Sequence, residues 1–371
     1  MLSGFGRLYR GETRINFFGR RRVSFLASGI VLVVAVISLF FQGLKLGMDF
    51  KGGLAFEAPV SGTLTVDSAA KVIRDAGMTE SDIKIQMLSS GDNKRVRIQM
   101  GVQTSDVQKK VQAALSEASK VTIDEISVSS VSSSWGRSIT IQAIQALFVF
   151  LGVIALFIAW RFEWRMALSA LAALIHDLGI SVGVYSFLQL EVTPATVVAF
   201  LTIMGFSLYD TIVVFDKVHD NNARFSGSKV SYGDIVNISM NQVLMRSLNT
   251  SIAALLPVIS ILVLGAWVLG AVALEEFALA LLIGLSAGTY SSIYIAAPLL
   301  GVLKERTTEF VSMRGHLSLG ADMSHLMKTG TPIGRRAAAR LADALEGAEP
   351  VSIPIEALLS HPPRPRKKTR R

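Results

Sequence analysis

Asp210 is the residue of this sequence whose surroundings most clearly point to chemistry. It lies inside a mostly apolar stretch that runs from Pro194 to Val218, and Ser207 precedes it by one helical turn. About 20 apolar residues, each rising about 1.5 Å along a helix, cross the hydrocarbon core of a membrane. A carboxylate inside such a helix costs about 2.5–3.5 kcal/mol and therefore needs a partner, water or a function. The stretch predicts that Asp210 carries a proton.

A simpler interpretation is that Asp210 only marks the inner end of its span, beside Asp216 and Lys217. The apolar residues TIVVF follow almost directly, so the carboxylate lies inside the apolar run rather than after it. This position favours the proton-carrying role over the simpler one.

Arg246 is the predicted charge partner of Asp210. Asp210 comes sixteen residues after Pro194, which is about 24 Å into a hydrocarbon core of about 30 Å, and Arg246 begins the next span from the opposite side. Both groups then fall in the inner part of the bilayer. An arginine favours the charged carboxylate whereas burial favours the neutral one, and a carboxylate between these effects can load and release a proton. Taken alone, Arg246 could equally snorkel to the lipid headgroups.

Further polar side chains stand in these spans where leucine would cost less. Their predicted role is to support Asp210 and Arg246 by hydrogen bonding or hydration, and they are Asp177, Ser207, Asn249 and Thr250. Asp177 follows His176 directly, and this pair could instead serve as a hydrogen bond between helices.

Composition limits the class of protein. The mean hydropathy of +0.48 and the 51% of hydrophobic residues indicate an integral membrane protein. The chain has no cysteine, which excludes disulfides, thiol catalysis and cysteine-ligated metal centres. Its five histidines show no metal-binding spacing, and no nucleophile stands near a base. We therefore expect no enzyme and no cofactor, with protons as the coupling ion.

Six apolar runs predict six transmembrane helices. The first covers residues 23–43, and the other five lie within residues 139–301, at 139–159, 166–188, 194–215, 247–270 and 277–301. Residues 1–22 carry six arginines, and the loops at 161–165 and 216–246 also contain arginine or lysine. The positive-inside rule then predicts that both termini and these loops are cytoplasmic.

Residues 44–138 predict a soluble α+β domain outside the cytoplasm. Their alternation of apolar and polar residues gives the order strand, helix, strand, strand, helix, strand, which is the ferredoxin-like split unit. Twelve basic and eleven acidic residues nearly cancel, and aromatic residues are scarce. This composition does not support a specific nucleic-acid interface.

The basic tail, residues 302–371, is predicted to be largely disordered. It ends in HPPRPRKKTRR, with one short helix predicted around RRAAARLADALEG. Anionic lipid headgroups or the ribosome are its expected contacts.

Several sequence blocks, in order, resemble the SecF proteins of the SecD/SecF family over about residues 15–301. They are INFFGRRR, GLKLGMDFKGG, ALIHDLGISVG, GFSLYDTIVVFDKVHDN, MNQVLMRSLNTS and ALLIGLSAGTYSSIYIAAPLL. At the end of the domain the sequence reads SSVSSSWGRSI, where the family usually has a VGxxVG-like segment. The joint between the domain and the second helix is therefore expected to differ here.

The resemblance implies a function and a set of partners. It implies half of a twelve-helix bundle of the resistance-nodulation-division type in a bacterial plasma membrane, with SecD supplying the other half. It further implies the SecYEG channel and an exported preprotein as partners, membrane lipids around the chain, and the proton-motive force as the energy source. The family's essential aspartate and arginine fall on Asp210 and Arg246, and its glycine-rich junction falls on Asp49, Gly52 and Gly53.

Two other functions stay open at this point. A polar pocket in the soluble domain would favour a proton-coupled exporter of lipids or small molecules from the same superfamily. Full activity without a proton gradient would favour a scaffold that only steadies the translocation channel.

Overall fold

Six long apolar helices and one small α+β domain make up the architecture. The computed structural model describes residues 13–60, 65–75, 83–90, 93–161, 163–226, 228 and 230–329. Within these ranges six helices are long and apolar enough to cross a membrane, and a four-stranded sheet lies between the first and second of them. The predicted fold class, a polytopic helical membrane protein with an inserted α+β domain, is confirmed.

The first part of the chain forms one membrane helix and the domain. In chain order the elements are α1 (Arg21–Gln42), β1 (Lys45–Leu46), α2 (Met48–Lys51), β2 (Gly53–Pro59), α3 (Val66–Asp75), β3 (Lys84–Ser90), β4 (Asn93–Met100), α4 (Ser105–Ser119) and β5 (Ser127–Val131).

The sheet of the domain has the predicted ferredoxin-like topology. Its strand order is β3-β4-β2-β5, and every neighbouring pair is antiparallel. Alternate residues such as Phe56 and Ile98 are fully buried, and they pack against Ile73 of α3 and Leu115 of α4. The period-two pattern of the strands therefore forms one apolar face, which the two helices cover.

The second part of the chain forms the other five spans. Its elements are α5 (Ser133–Arg161), α6 (Trp164–Phe187), β6 (Glu191–Val192), α7 (Pro194–Arg224), α8 (Tyr232–Ser260), α9 (Val272–Ser291), α10 (Ala297–Lys304) and α11 (Ala321–Thr329). A π-helical stretch, Ile261–Val268, prolongs α8, and another, Ser292–Ala296, joins α9 to α10. The sixth span therefore runs without a break from Val272 to Lys304.

The predicted loop at 216–246 is wrong, because most of it is helical. Helix α7 continues to Arg224 and α8 already begins at Tyr232, where Ser231 caps the backbone amide of Asp234 at 3.1 Å. Several polar residues of this region are buried and satisfied inside the protein, whereas its arginines are exposed. Asn241 and Asn237 accept hydrogen bonds from the amides of Ile15 and Phe18 at 2.9 and 2.8 Å.

The helices pack closely at glycines, whose missing side chain leaves room for a neighbouring helix. Gly183 of α6 lies against Ala35 of α1, so that a Cβ added at Gly183 would be only 2.1 Å from the Ala35 Cβ. Gly284 of α9 lies in the same way against Ile203 of α7. Small residues let helix backbones approach each other, which is how helices associate in lipid.

The described part of the tail is ordered, which differs from the predicted disorder of residues 302–371. Phe310 is buried and makes an edge contact with Tyr232 at a ring distance of 5.1 Å. Met323 and Leu326 of α11 are also buried in the helix bundle, so residues 302–329 belong to the fold. Residues 1–12 and 330–371, with the short helix predicted at 335–347, lie outside the described residues.

Candidate functional site

Asp210 lies in the middle of α7 and is held by α8. The hydroxyl of Ser247 lies 2.7 Å from both carboxylate oxygens and donates its proton to them. Ser247 is fully buried, whereas Asp210 is half-buried. A hydroxyl that can also accept a hydrogen bond suits both the charged and the protonated carboxyl.

Arg246 is exposed and stands one residue before Ser247 on α8. Its charge is near enough to act on Asp210, but no ion pair of 4 Å or less joins the two among the described residues. Because α8 begins at Tyr232, Arg246 lies about four turns inside the helix rather than at its start. The predicted start of this helix at about Arg246 was therefore wrong, whereas the depth of Arg246 in the membrane stays a prediction.

Asp177 forms a second polar centre inside the bundle. It is completely buried, and its Oδ2 accepts hydrogen bonds from Ser207 at 2.5 Å and from Ser291 at 2.8 Å. Its Oδ1 lies 3.1 Å from Nδ1 of His176. The carboxylate thus ties α6 to α7 and α9. Ser207, which sequence spacing placed beside Asp210, binds Asp177 instead.

Serine and threonine side chains connect the surroundings of the two carboxylates. The hydroxyl of Ser292 lies 3.0 Å from that of Thr211, which follows Asp210 in α7, and 3.4 Å from the carbonyl of Ser207. We call the group of Asp177, Ser207, Ser291, Ser292, Thr211, Ser247 and Asp210 the polar seam. It crosses four of the six spans, α6, α7, α8 and α9 with its π-helical continuation.

A small cavity lies beside Asp210. It measures about 40 Å³, and its lining combines polar side chains, among them Asp210, Thr250 and Ser251, with apolar ones such as Phe206 and Leu285. A buried water needs about 10–15 Å³ and several polar partners, so this cavity can hold water next to the carboxylate.

The two remaining support residues on α8 contribute unequally. Thr250 borders the cavity, although its hydroxyl bonds to the carbonyls of Arg246 and Ser247 in its own helix. Asn249 is exposed, and its side chain makes no hydrogen bond within the described ranges. Sequence reasoning did not assign Ser247 or Thr211, although Ser247 and Ser251 share a face of α8 at a spacing of four residues.

The junction residues Asp49, Gly52 and Gly53 connect α1 to the domain. Gly52 has a φ of 81°, which favours glycine, and a Cβ added at Gly53 would come within 2.4 Å of the Met100 carbonyl. Gly136 of α5 approaches Phe50 equally closely, since a Cβ added there would lie 2.3 Å from the Phe50 carbonyl oxygen. The glycines therefore allow the junction, the sheet and α5 to meet at one place. The part of the chain that the structure describes contains no group of three acidic or histidine side chains placed to hold a metal.

Comparison with known proteins identifies the family. Residues 110–306 match the model described as protein export membrane protein SecD/SecF, C-terminal, and residues 37–63 match the SecD/SecF GG motif. The protein translocase subunit SecF of Mycobacterium tuberculosis is 41% identical over 313 residues, which cover 82% of this chain and 70% of that protein. SecF of Streptomyces coelicolor is 37% identical over 309 residues, which cover 83% of this chain and 82% of that protein.

A solved structure agrees with the sequence comparison. The crystal structure of SecDF, a translocon-associated membrane protein from Thermus thermophilus, superposes with a TM-score of 0.69 at 30% sequence identity. The match covers 80% of this chain but 39% of the SecDF chain, so this chain spans less than half of that protein. The GG-motif match contains Gly52 and Gly53, and the longer match contains the whole polar seam. The chain belongs to the SecD/SecF family of protein export membrane proteins.

Proposed function

We propose that this chain is an auxiliary subunit of the Sec protein translocase, which works with SecD and uses the proton-motive force to promote late steps of polypeptide export. Its relatives of 37–41% identity are named as SecF translocase subunits, which supports the export role. The fused SecDF protein supports SecD as the partner. The SecYEG channel, the exported preprotein and surrounding lipids are the further expected partners.

The arrangement around Asp210 is the observation that supports proton coupling. A carboxylate in the middle of a membrane helix is held by a neutral hydroxyl, beside a small cavity that a few polar side chains help to line, with an arginine near but not paired to it. A tightly paired aspartate and arginine would keep the carboxylate charged. A carboxylate held by a hydroxyl instead can exist in both protonation states, which proton transport requires.

Protonation of Asp210 would change the forces between α7 and α8. The charged carboxylate attracts Arg246 and accepts the Ser247 hydrogen bond, whereas the neutral form loses the attraction and gains a donor. The two helices would then favour different packing in the two states. Through the polar seam the change reaches α9 and α6, and through the junction at Gly52 and Gly53 it reaches the domain that handles the emerging polypeptide.

We further propose a bacterial plasma membrane with both termini in the cytoplasm and the domain outside. The arginines of residues 14–22 lie before α1 and in its first turn, and Arg161 and Arg165 flank the turn between α5 and α6. The turn between α6 and α7 carries Glu191, and the start of α9 carries Glu275 and Glu276. This asymmetry follows the positive-inside rule.

The test is export by cells whose only copy of this subunit carries Asp210→Asn. We expect export of a Sec-dependent preprotein, followed by pulse and chase, to fall to the rate of cells that lack the chain. The wild-type chain should lose the same benefit when the gradient is collapsed. Asp216→Asn is the matched control, because Asp216 lies on the same helix and is exposed. Export at the wild-type rate by inserted Asp210→Asn protein would contradict the proposal.

A proton-coupled exporter of lipids or small molecules is the second candidate function. The cavity at the base of the domain, about 430 Å³ and lined partly by lysines, is the observation that favours it. The sequence identity of 41% to a translocase subunit, over 82% of the chain, favours the export role instead. A scaffold without transport would be favoured by full activity after the gradient is collapsed.

A further inference from the structure

The cavity at the base of the domain lies where the sheet meets the helix bundle. It measures about 430 Å³ and is bounded by the segment after α1, the first residues of β3, the end of β4 and the turn between α6 and α7. Its charged lining residues are Lys45, Lys51, Lys84 and Glu191. A volume of about 300–1,000 Å³ is usual for small-ligand sites, so the cavity has room for a headgroup-sized molecule.

The end of α1 and the start of α7 indicate how deep in the membrane the cavity lies. Helix α1 ends at Gln42, and α7 begins at Pro194. Lys45 and Glu191 are paired in the short parallel ladder of β1 and β6, so both lie just beyond these ends. The residues that directly follow the apolar part of a spanning helix lie in the headgroup region of the bilayer.

The cavity has an excess of positive charge. Three lysines and one glutamate contribute to its lining, and Lys84 forms an ion pair with Glu191. Lys45 and Lys51 are exposed and form no ion pair with an acidic side chain within the described ranges. Two positive charges are therefore left for an anionic ligand. Lysines close to a membrane surface each attract anionic lipid.

Apolar side chains form part of the cavity wall, and the last turn of α1, which precedes the cavity in the chain, exposes two aromatic rings. Leu46, Met48 and Met100 border the cavity. Phe40 and Phe41, in the last turn of α1, are 83% and 78% exposed. A ligand with a charged head and hydrocarbon chains would meet lysines in the cavity and aromatic rings below it. A soluble anion would use only the first of these surfaces.

We propose that this cavity binds the phosphate-containing headgroup of an anionic phospholipid, whose acyl chains lie along α1 beside Phe40 and Phe41. The site does not depend on proton coupling, since none of its residues belongs to the polar seam. Lys51 and Gly52 of the glycine-rich junction take part in it. A bound lipid would therefore fasten the junction to the surface of the membrane.

The test measures lipid retained by the purified full chain in native mass spectrometry. Detergent-solubilised protein is mixed with phosphatidylglycerol or with phosphatidylcholine, and a third sample receives glycerol phosphate. We expect the wild-type chain to retain phosphatidylglycerol in preference to phosphatidylcholine. We expect the Lys45→Gln, Lys51→Gln double variant to lose about tenfold or more of this affinity, because each lysine near a surface contributes to anionic-lipid binding.

Two further variants are controls for the loss of positive charge. Lys71→Gln, Lys109→Gln removes the same charge from exposed positions on α3 and α4 and should bind phosphatidylglycerol like the wild type. Lys45→Arg, Lys51→Arg keeps the charge and should retain most of the binding. Equal phosphatidylglycerol binding by the glutamine double variant would overturn the proposal. An affinity for glycerol phosphate equal to that for phosphatidylglycerol would also overturn the proposal, because the site would then recognise a soluble phosphate.

Discussion

At the scale of single residues, the position of Asp210 inside an apolar helix was predictable, but its hydrogen-bond partner was not. An isolated carboxylate in an apolar run is visible in the sequence, because hydropathy requires no knowledge of packing. Which hydroxyl binds it depends on how α7 and α8 are rotated about their axes. Ser207 shares a face with Asp210 by spacing, yet it donates to Asp177, while Ser247 of the next helix donates to Asp210.

Glu305 is a carboxylate just beyond the last membrane span whose environment gives a pH-dependent prediction. It is 2% exposed, and it accepts a hydrogen bond from the amide of Gly233 at 3.3 Å. Burial raises the pKa of the Glu305 carboxyl above its usual range, although the Gly233 hydrogen bond and the charges of Arg21 and Arg314 act in the opposite direction. The folded protein therefore prefers the protonated form more than the unfolded chain does.

The sign of the effect follows from this raised pKa. The stabilising contribution of Glu305 is complete below the unfolded value of 4.5 and is lost as the pH rises through the folded-state pKa. We expect the thermal midpoint of Glu305→Gln to fall less than that of the wild type when the pH rises from below 4.5 to neutrality, as measured by unfolding in detergent. Glu309→Gln, at an exposed neighbouring position, should follow the wild type. Parallel curves for all three proteins would show that Glu305 is not responsible.

At the scale of helices and strands, the number and order of elements were predictable, whereas several ends were not. The six spans and the strand order of the domain follow from the length and period of apolar residues. The start of α8 at Tyr232 does not, because the early turns of this helix are polar and are satisfied by the segment before α1. Tertiary contacts therefore decided where this helix begins. The packing of residues 302–329 was missed for the same reason.

The contact between α1 and α6 gives a prediction at this scale. A methyl group at Gly183 would come within 2.1 Å of the Ala35 Cβ and within 2.9 Å of its Cα, so one helix would have to move. We expect Gly183→Ala to destabilise the protein by about 1–3 kcal/mol, the usual cost of overpacking. The measurement is the thermal midpoint of the purified protein in detergent.

Gly152→Ala is the matched control for this contact. Gly152 also lies within a membrane helix, α5, but a Cβ added there would meet no heavy atom within 4 Å. Its midpoint should be unchanged or slightly higher, because alanine favours helix over glycine by about 1 kcal/mol in soluble helices. Equal midpoints for Gly183→Ala and Gly152→Ala would mean that α1 is not packed on α6 at this place.

At the scale of the whole molecule, the chain matches less than half of a longer membrane protein. It covers 39% of the Thermus thermophilus SecDF chain at a TM-score of 0.69, and in SecDF the remaining residues belong to the same polypeptide. Asp210 is only half-buried and Arg246 is exposed within this chain. Ionisable groups that face lipid cost about 2.5–3.5 kcal/mol each in the middle of a helix. The face that α7 and α8 form is therefore where we expect SecD to cover them.

The polar seam places Asp210 in a group of polar side chains that belong to four membrane helices. Sequence alone identified Asp177, Ser207 and Asp210, and the folded chain arranges them with serines of α8 and α9 across four spans. The partner SecD was predicted from the resemblance to SecF, because the residues of one chain alone do not identify a partner. Within this seam, we propose that Asp210 is the group that binds and releases the proton.

Infrared difference spectroscopy of the complex with SecD tests this claim most directly. The carbonyl stretch of a protonated carboxyl should appear and disappear as the pH is changed across the range of the membrane gradient. The account predicts that this band is present in the wild type and in Asp216→Asn and is absent from Asp210→Asn. A band that persists unchanged in Asp210→Asn would contradict the account, because another group would then carry the proton.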